Sequence, residues 1–212
     1  MGKIYDDNGF EQDNEYLTKK LEYIKYIVNH VRNVNTAYKV LFATKKYSSL
    51  PEGVSYEDWY KSVGLLKTIV EKHDASKYSD IEFEPYRRHF YPTEEESKQV
   101  EDLQNKAYED YQNAWKHHYM NNDHHPEYWT YIGEDGNKLE EPNKVGVPMP
   151  LVAVMHMFCD WYAMDLFQNK TDHAIWYQTD ASKDERECLN PETKKLIKDM
   201  FYILYGAEVS EE

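Results

Sequence analysis

Residues 150–167 constrain this chain most. They run PLVAVMHMFCDWYAMDLF, apolar nearly all round a helix once Pro150 is set at its first position, where the missing N–H matters least. Such a segment belongs at the centre of a helical fold. Met149, Ala153, His156, Asp160, Ala163 and Phe167 share one face, so a histidine and a carboxylate stand one turn apart within it. An unpaired carboxylate is costly to bury, so Asp160 must be protonated, paired or bound to a cation.

The rest of the chain punctuates itself into further helices. Across residues 14–47 the residues Leu17, Leu21, Ile24, Ile27, Val28, Val31, Val34, Tyr38, Leu41 and Phe42 recur at three and four. That spacing predicts a long amphipathic helix, capped by Asp13 or Asn14. Ser55 caps a second helix through Trp59, Val63, Leu66, Val70 and His73. Thr93 with Glu96 forms a capping box for a third, through Val100, Leu103, Ala107, Tyr111, Ala114 and His118, after an irregular segment containing Pro85 and Pro92. Residues 121–148 gather Gly, Asn, Asp and Pro, so they read as a functional loop or lid, with room for a short hairpin at Asp135-Gly136. Asn190 and Pro191 open a last helix through Leu204, closed by Gly206 before an acidic tail. The expected fold is all-α: one helical-bundle domain over residues 1–212, its core about 14–206, with about five main helices and a long loop between the third and fourth.

Charge narrows the classes of partner. A net charge of -14 opposes an extended nucleic-acid footprint, whose affinity comes from Lys and Arg displacing counterions. A small phosphorylated ligand is compatible with that acidity if bound metal or local cations reverse the sign within the pocket. No apolar run is long enough for a membrane helix, and MGKIYDDNGFEQD lacks a signal-peptide core, so a cytoplasmic protein is expected. Cys159 falls in an apolar helical pattern, and with Cys188 as the only other cysteine a disulfide scaffold is not expected.

Three helices each aim a histidine inward: His30 beside Ile27 and Val34, His73 continuing the 59-63-66-70 stripe, and His118 continuing 107-111-114. A single such histidine is more often a hydrogen-bonded core residue, the reading given to His89, His117 and His173. Asp160 alone could pair with Arg32, Arg87 or Arg88. Taken together, His30, His73, Asp74, His118 and Asp160 favour a divalent ion, since imidazole and carboxylate ligate Mn, Fe, Co, Ni or Zn, and carboxylate suits Mg.

The order His, then HD, then later His residues, then a lone Asp on a helix resembles the HD-domain metal-dependent phosphohydrolases. More narrowly, HDASKYS, HHPEYW and MxxxxxMxxxCDWYAM resemble an uncharacterised HD-like group from bacterial and bacteriophage genomes, over roughly residues 25–167. The resemblance implies an all-helical fold and metal ligands His30, His73, Asp74 and Asp160. It also implies that Lys77, in HDASK, holds a substrate phosphate. The position of His156 is commonly acidic in that group, which leaves an additional ligand or an altered neighbour of one.

The expected activity is hydrolysis of a nucleotide or other small phosphoester by metal-activated water. Asp80 would orient the water, and His118, His124 and His125 would hold a second ion or protonate the leaving group. Tyr128 and Trp129 would stack on a base, with His124 and His156 also near the substrate. The alternative is an inactive HD-like protein that binds a nucleotide or a protein partner.

Overall fold

The computed structural model describes residues 4–5, 11–12, 14–168, 177, 183–206 and 208–209. The chain is all-α. Its helices are α1 (Asn14–Tyr38), α2 (Tyr56–Val70), α3 (Phe83–Phe90), α4 (Glu94–Ser97), α5 (Glu101–Asn121), α6 (Pro126–Thr130), α7 (Leu151–Gln168), α8 (Lys183–Cys188) and α9 (Pro191–Tyr205). A two-residue antiparallel ladder, β1 (Ile4–Tyr5) with β2 (Glu11–Gln12), precedes them. Among the described residues no helix is long and apolar enough to cross a membrane. Cys159 and Cys188 are free thiols. Asp13, His173 and most of the acidic tail lie outside the described residues.

Contacts divide the chain into two compact units. The larger comprises His30–Asp74 and Tyr119–Glu212. Its core is built on α7, which packs against α2 and α9, while α6 packs on α8. Leu66 and Val70 of α2, Met155 and Phe158 of α7, and Ile197, Met200 and Phe201 of α9 are all fully enclosed. The all-round apolar character of α7 is thus satisfied from several sides. The chemistry of the ends agrees with the sequence: Ser55 Oγ accepts from the Asp58 N–H, Asn190 accepts from the Glu192 N–H, and Gly206 stops α9 at φ 67°.

Three boundaries differ from expectation. The first helix does not reach Tyr47: α1 passes into a π-helical turn, Lys39–Ala43, where both the N–H and hydroxyl of Thr44 bond to the Lys39 carbonyl and end it. His73 lies beyond the end of α2, its N–H bonded to the Val70 carbonyl in a turn. Residues 121–148, read as loop, hold α6; the expected short hairpin at Asp135-Gly136 is present as an isolated antiparallel bridge, Ile132 to Lys138, around Gly136 at φ 79°. Backbone bonds from Leu139 to Tyr131, Asn143 to Thr130, Val147 to Trp129 and Gly146 to Cys188 tie that segment to its neighbours.

The smaller unit comprises Met1–Asn29 and Ala75–His118. α3 forms where prolines predicted irregular chain, because Pro85 falls in its first turn, where no intrahelical N–H bond is lost. The Thr93–Glu96 capping box is present, but it starts only the short α4; the third helix begins anew at Glu101. The exposure of Val100 and Leu103 explains the break, since neither has a core to hold a continuous helix against. Arg87 is buried, with Nη1 and Nη2 on the two Glu96 oxygens at 2.6 and 2.7 Å and Nε on Glu84 at 3.1 Å.

Candidate metal centre

The centre is assembled within the larger unit from four stretches of chain. α1 delivers His30, a residue after the apolar Ile27 and before Val34 on the same helical stripe. The turn after α2 delivers His73 and Asp74. Asn35 braces that turn, its Nδ2 donating to the carbonyls of Val31 at 2.9 Å and Val70 at 3.0 Å. Asp74 sits at φ 55°, a left-handed conformation that L-residues other than Asn and Asp seldom adopt. α7 delivers His156 and Asp160 one turn apart, and the residues before α6 deliver His124 and His125.

The side chains converge. His30 Nε2 lies 2.9 Å from His73 Nε2 and 2.9 Å from Asp160 Oδ1. Asp74 Oδ2 is 3.2 Å from His73 Nε2 and 3.7 Å from His30 Nε2, and His73 Nε2 is 3.5 Å from Asp160 Oδ1. Donors bound to one ion at about 2.0–2.2 Å are set about 3.0–3.5 Å apart, so His30, His73 and Asp160 have the spacing to hold a single divalent cation, with Asp74 Oδ2 beside both imidazoles. On the far side of the carboxylates, His124 Nε2 lies 3.6 Å from Asp74 Oδ1 and 3.7 Å from Asp160 Oδ2. Each of three sets, His30–His73–Asp160, His73–His124–His156 and Asp74–His124–His125, offers ligand atoms within 4.8 Å of one another.

Burial and charge compete here. Burial alone would keep Asp160 protonated, but hydrogen bonds and charge from His30 and His73 hold its carboxyl well below the usual range. Burial pulls His73 down, and Asp74 and Asp160 more than reverse this, lifting it to about 9. Burial pulls His156 down to about 3, with the charge on His73 adding to it, and takes His124 well below its ordinary value. The two carboxylates thus favour positive charge, a proton or a cation, at the His73 nitrogen that faces them, while burial favours the neutral forms of His124 and His156.

His156 is not at the periphery. Its Nε2 lies 2.9 Å from His73 Nδ1, and both rings are buried. A cleft of about 460 Å³ is lined by His73, His124 and His156 together with Lys72, Asn122 and Tyr128. Trp129, expected to stack on a ligand, instead packs against the core and donates its indole N–H to the Asp123 carbonyl at 2.7 Å.

Other candidates lie in the smaller unit. Lys77 is in the 3-10 turn Ala75–Tyr78, its Nζ 5.9 Å from the Tyr26 ring centroid, and Asp80 is exposed just beyond. His118 is buried with Nδ1 2.9 Å from Glu82 Oε2, and His117 Nδ1 is 2.7 Å from Glu82 Oε1. His89, expected in a core, is exposed and stacks on Tyr111 at 3.8 Å. The arginines considered for Asp160 are otherwise placed: Arg32 is exposed, Arg87 holds Glu84 and Glu96, and Arg88 donates to Gln99.

Sequence reasoning missed Glu82, a fully buried carboxylate shared by two histidines, and Asn35. Neither interrupts an apolar stripe in a way that marks it. The nearest signal for Glu82 was the adjacent pair His117 and His118, which requires an acceptor if buried.

The family model of DUF5662, a family of unknown function, matches residues 19–203, and the chain belongs to that family. No curated protein and no solved structure matches it.

Proposed function

For a member of a family of unknown function, we propose an HD-like metal-dependent phosphohydrolase acting on a small phosphoester, a nucleotide being the favoured class. One observation carries the reading: two imidazole nitrogens and two carboxylate oxygens, drawn from α1, the turn after α2 and α7, lie 2.9–3.7 Å apart across the five His–His and His–Asp pairs given above. His30, His73, Asp74 and Asp160 would hold a divalent ion, which would supply Lewis acidity toward a phosphoryl oxygen and a water nucleophile near neutral pH. Asp74 Oδ1 and Asp160 Oδ2 lie 3.6 and 3.7 Å from His124 Nε2, so these residues with His125 would be the ones to hold a second ion if one bound, His125 otherwise serving as the acid for the leaving group. Lys72, on the rim of the adjoining cleft, offers a positive charge to a phosphate entering there. The net charge of -14 supports a small substrate over an extended polyphosphate.

The test is hydrolysis of a generic phosphoester and a nucleotide panel by untagged protein, with Mn, Co, Ni or Mg added. Turnover with at least one ion, abolished in Asp74→Ala, is expected. Inactivity with every ion and substrate would overturn hydrolysis, and retained metal binding in the same samples would leave a binding protein.

A further inference from the structure

The His73 ring makes two contacts with different geometry and different consequence. Nε2 faces His30, Asp74 and Asp160, while Nδ1 faces His156 Nε2 at 2.9 Å. A neutral imidazole has one lone pair and one N–H. If Nε2 is to give its lone pair to a cation, the hydrogen must sit on Nδ1, where the His156 nitrogen is its acceptor. The set His73–His124–His156 also has the spacing for an ion of its own. Filling that set and the His30–His73–Asp74–Asp160 set together would require His73 to lose both hydrogens. The hydrogen bond needs no such step.

We propose that His156 is a positioning residue for the metal centre: its Nε2 accepts the Nδ1 hydrogen of His73, fixing the tautomer and ring orientation that present Nε2 to the ion. Oxygen atoms of carboxylates or backbone carbonyls usually fill this role, and loss of such a partner typically weakens metal binding 10–100-fold. A histidine acceptor adds no negative charge. The centre therefore keeps two carboxylates as its acidic groups, and the His73 ring is polarised less than it would be by a carboxylate. α7 delivers the acceptor and the ligand Asp160 from the same face one turn apart, so the support and the ligand share one rigid element.

This inference rests on the reading of His30, His73, Asp74 and Asp160 as metal ligands, and the experiment separates the two. Co(II) affinity is measured by chelator competition, together with the visible ligand-field spectrum, for wild type, Asp160→Ala, His156→Phe and His156→Gln, each with its thermal midpoint. The amide oxygen of Gln can stand where His Nε2 stands. Expected are tight binding by wild type, its loss in Asp160→Ala, a 10–100-fold weakening with an altered spectrum in His156→Phe, and recovery to near wild type in His156→Gln. Wild type that binds no Co(II) overturns the ligand assignment and this inference together. Wild type that binds while His156→Phe keeps the same affinity and spectrum overturns this inference alone. So does a folded His156→Gln as weak as His156→Phe, because the hydrogen bond would then not be the cause.

Discussion

The Nε2 atoms of His30 and His73 lie 2.9 Å apart, although 43 residues separate them in the chain. Two imidazole lone pairs at that distance repel unless a proton or a cation lies between them. Both rings are buried, so water cannot relax the arrangement.

A bound cation should therefore stabilise the fold measurably. With free Mn or Co at about 1,000 times its Kd, the native state gains about 4 kcal/mol. For a chain of this length that is about 8–16 °C in Tm. Differential scanning calorimetry with metal and with chelator should show the shift in wild type and none in His30→Ala.

The left-handed backbone at Asp74 gives a second expectation. Both Asp74→Ala and Asp74→Gly remove the carboxylate, but only alanine retains a Cβ at φ 55°. Asp74→Gly should be the more stable of the two by about 1 kcal/mol in chelator-treated protein, measured by urea denaturation. Equal stabilities would mean the turn relaxes.

Glu96 should make the smaller unit sensitive to acid. The Arg87 hydrogen bond holds its carboxyl below the usual range, with burial opposing and the Thr93 N–H and the Arg87 charge assisting. Its folded value is depressed, so its contribution is fully present above the unfolded carboxylate pKa of about 4.3 and is lost as pH falls through the folded value. Glu96→Gln should cost about 2 kcal/mol at pH 7, by removing the two-pronged charge partner of buried Arg87 and leaving it the Nε contact with Glu84. The difference from wild type should shrink below about pH 4, which denaturation at several pH values would reveal.

Phe158 tests the larger unit's core. It is fully enclosed on α7, with ring centroids 4.9 Å from Phe201 and 5.3 Å from Trp161. Phe158→Ala should cost about 3–5 kcal/mol by equilibrium unfolding. A cost under about 1 kcal/mol would mean that α7 is not the centre of that core.

What was legible in the sequence followed from whether the deciding forces were local. α7 and α9 could be read because apolar periodicity, Pro at the start and Gly206 at the end all agree. The break before Glu101 could not, because Val100 and Leu103 continue an apolar spacing whose partners are missing only in three dimensions. Of the centre, Asp160 was legible as a carboxylate within the most apolar helix, and His73 with Asp74 from periodicity and motif. The stripe through His73 nevertheless pointed to a helix where the chain has already turned. His124 was read as a holder of a second ion or a substrate contact, and His156 as a substrate contact, an additional ligand or the neighbour of one. Their proximity to Asp74, Asp160 and His73 depends on how α6 and α7 are brought together, and no spacing within either helix encodes that.

Asn35 bridges the carbonyls of Val31 and Val70 with one amide, so the end of α2 is fastened to α1 one helical turn beyond His30. An ion bound by His30, His73, Asp74 and Asp160 would act as a cross-link, closing loops of chain that the amide has already drawn together. Much of the closure entropy is then lost before any ion arrives. The brace would then favour affinity: it should make the site a preassembled receptor for metal, where a chain without it would have to order its ligands on binding.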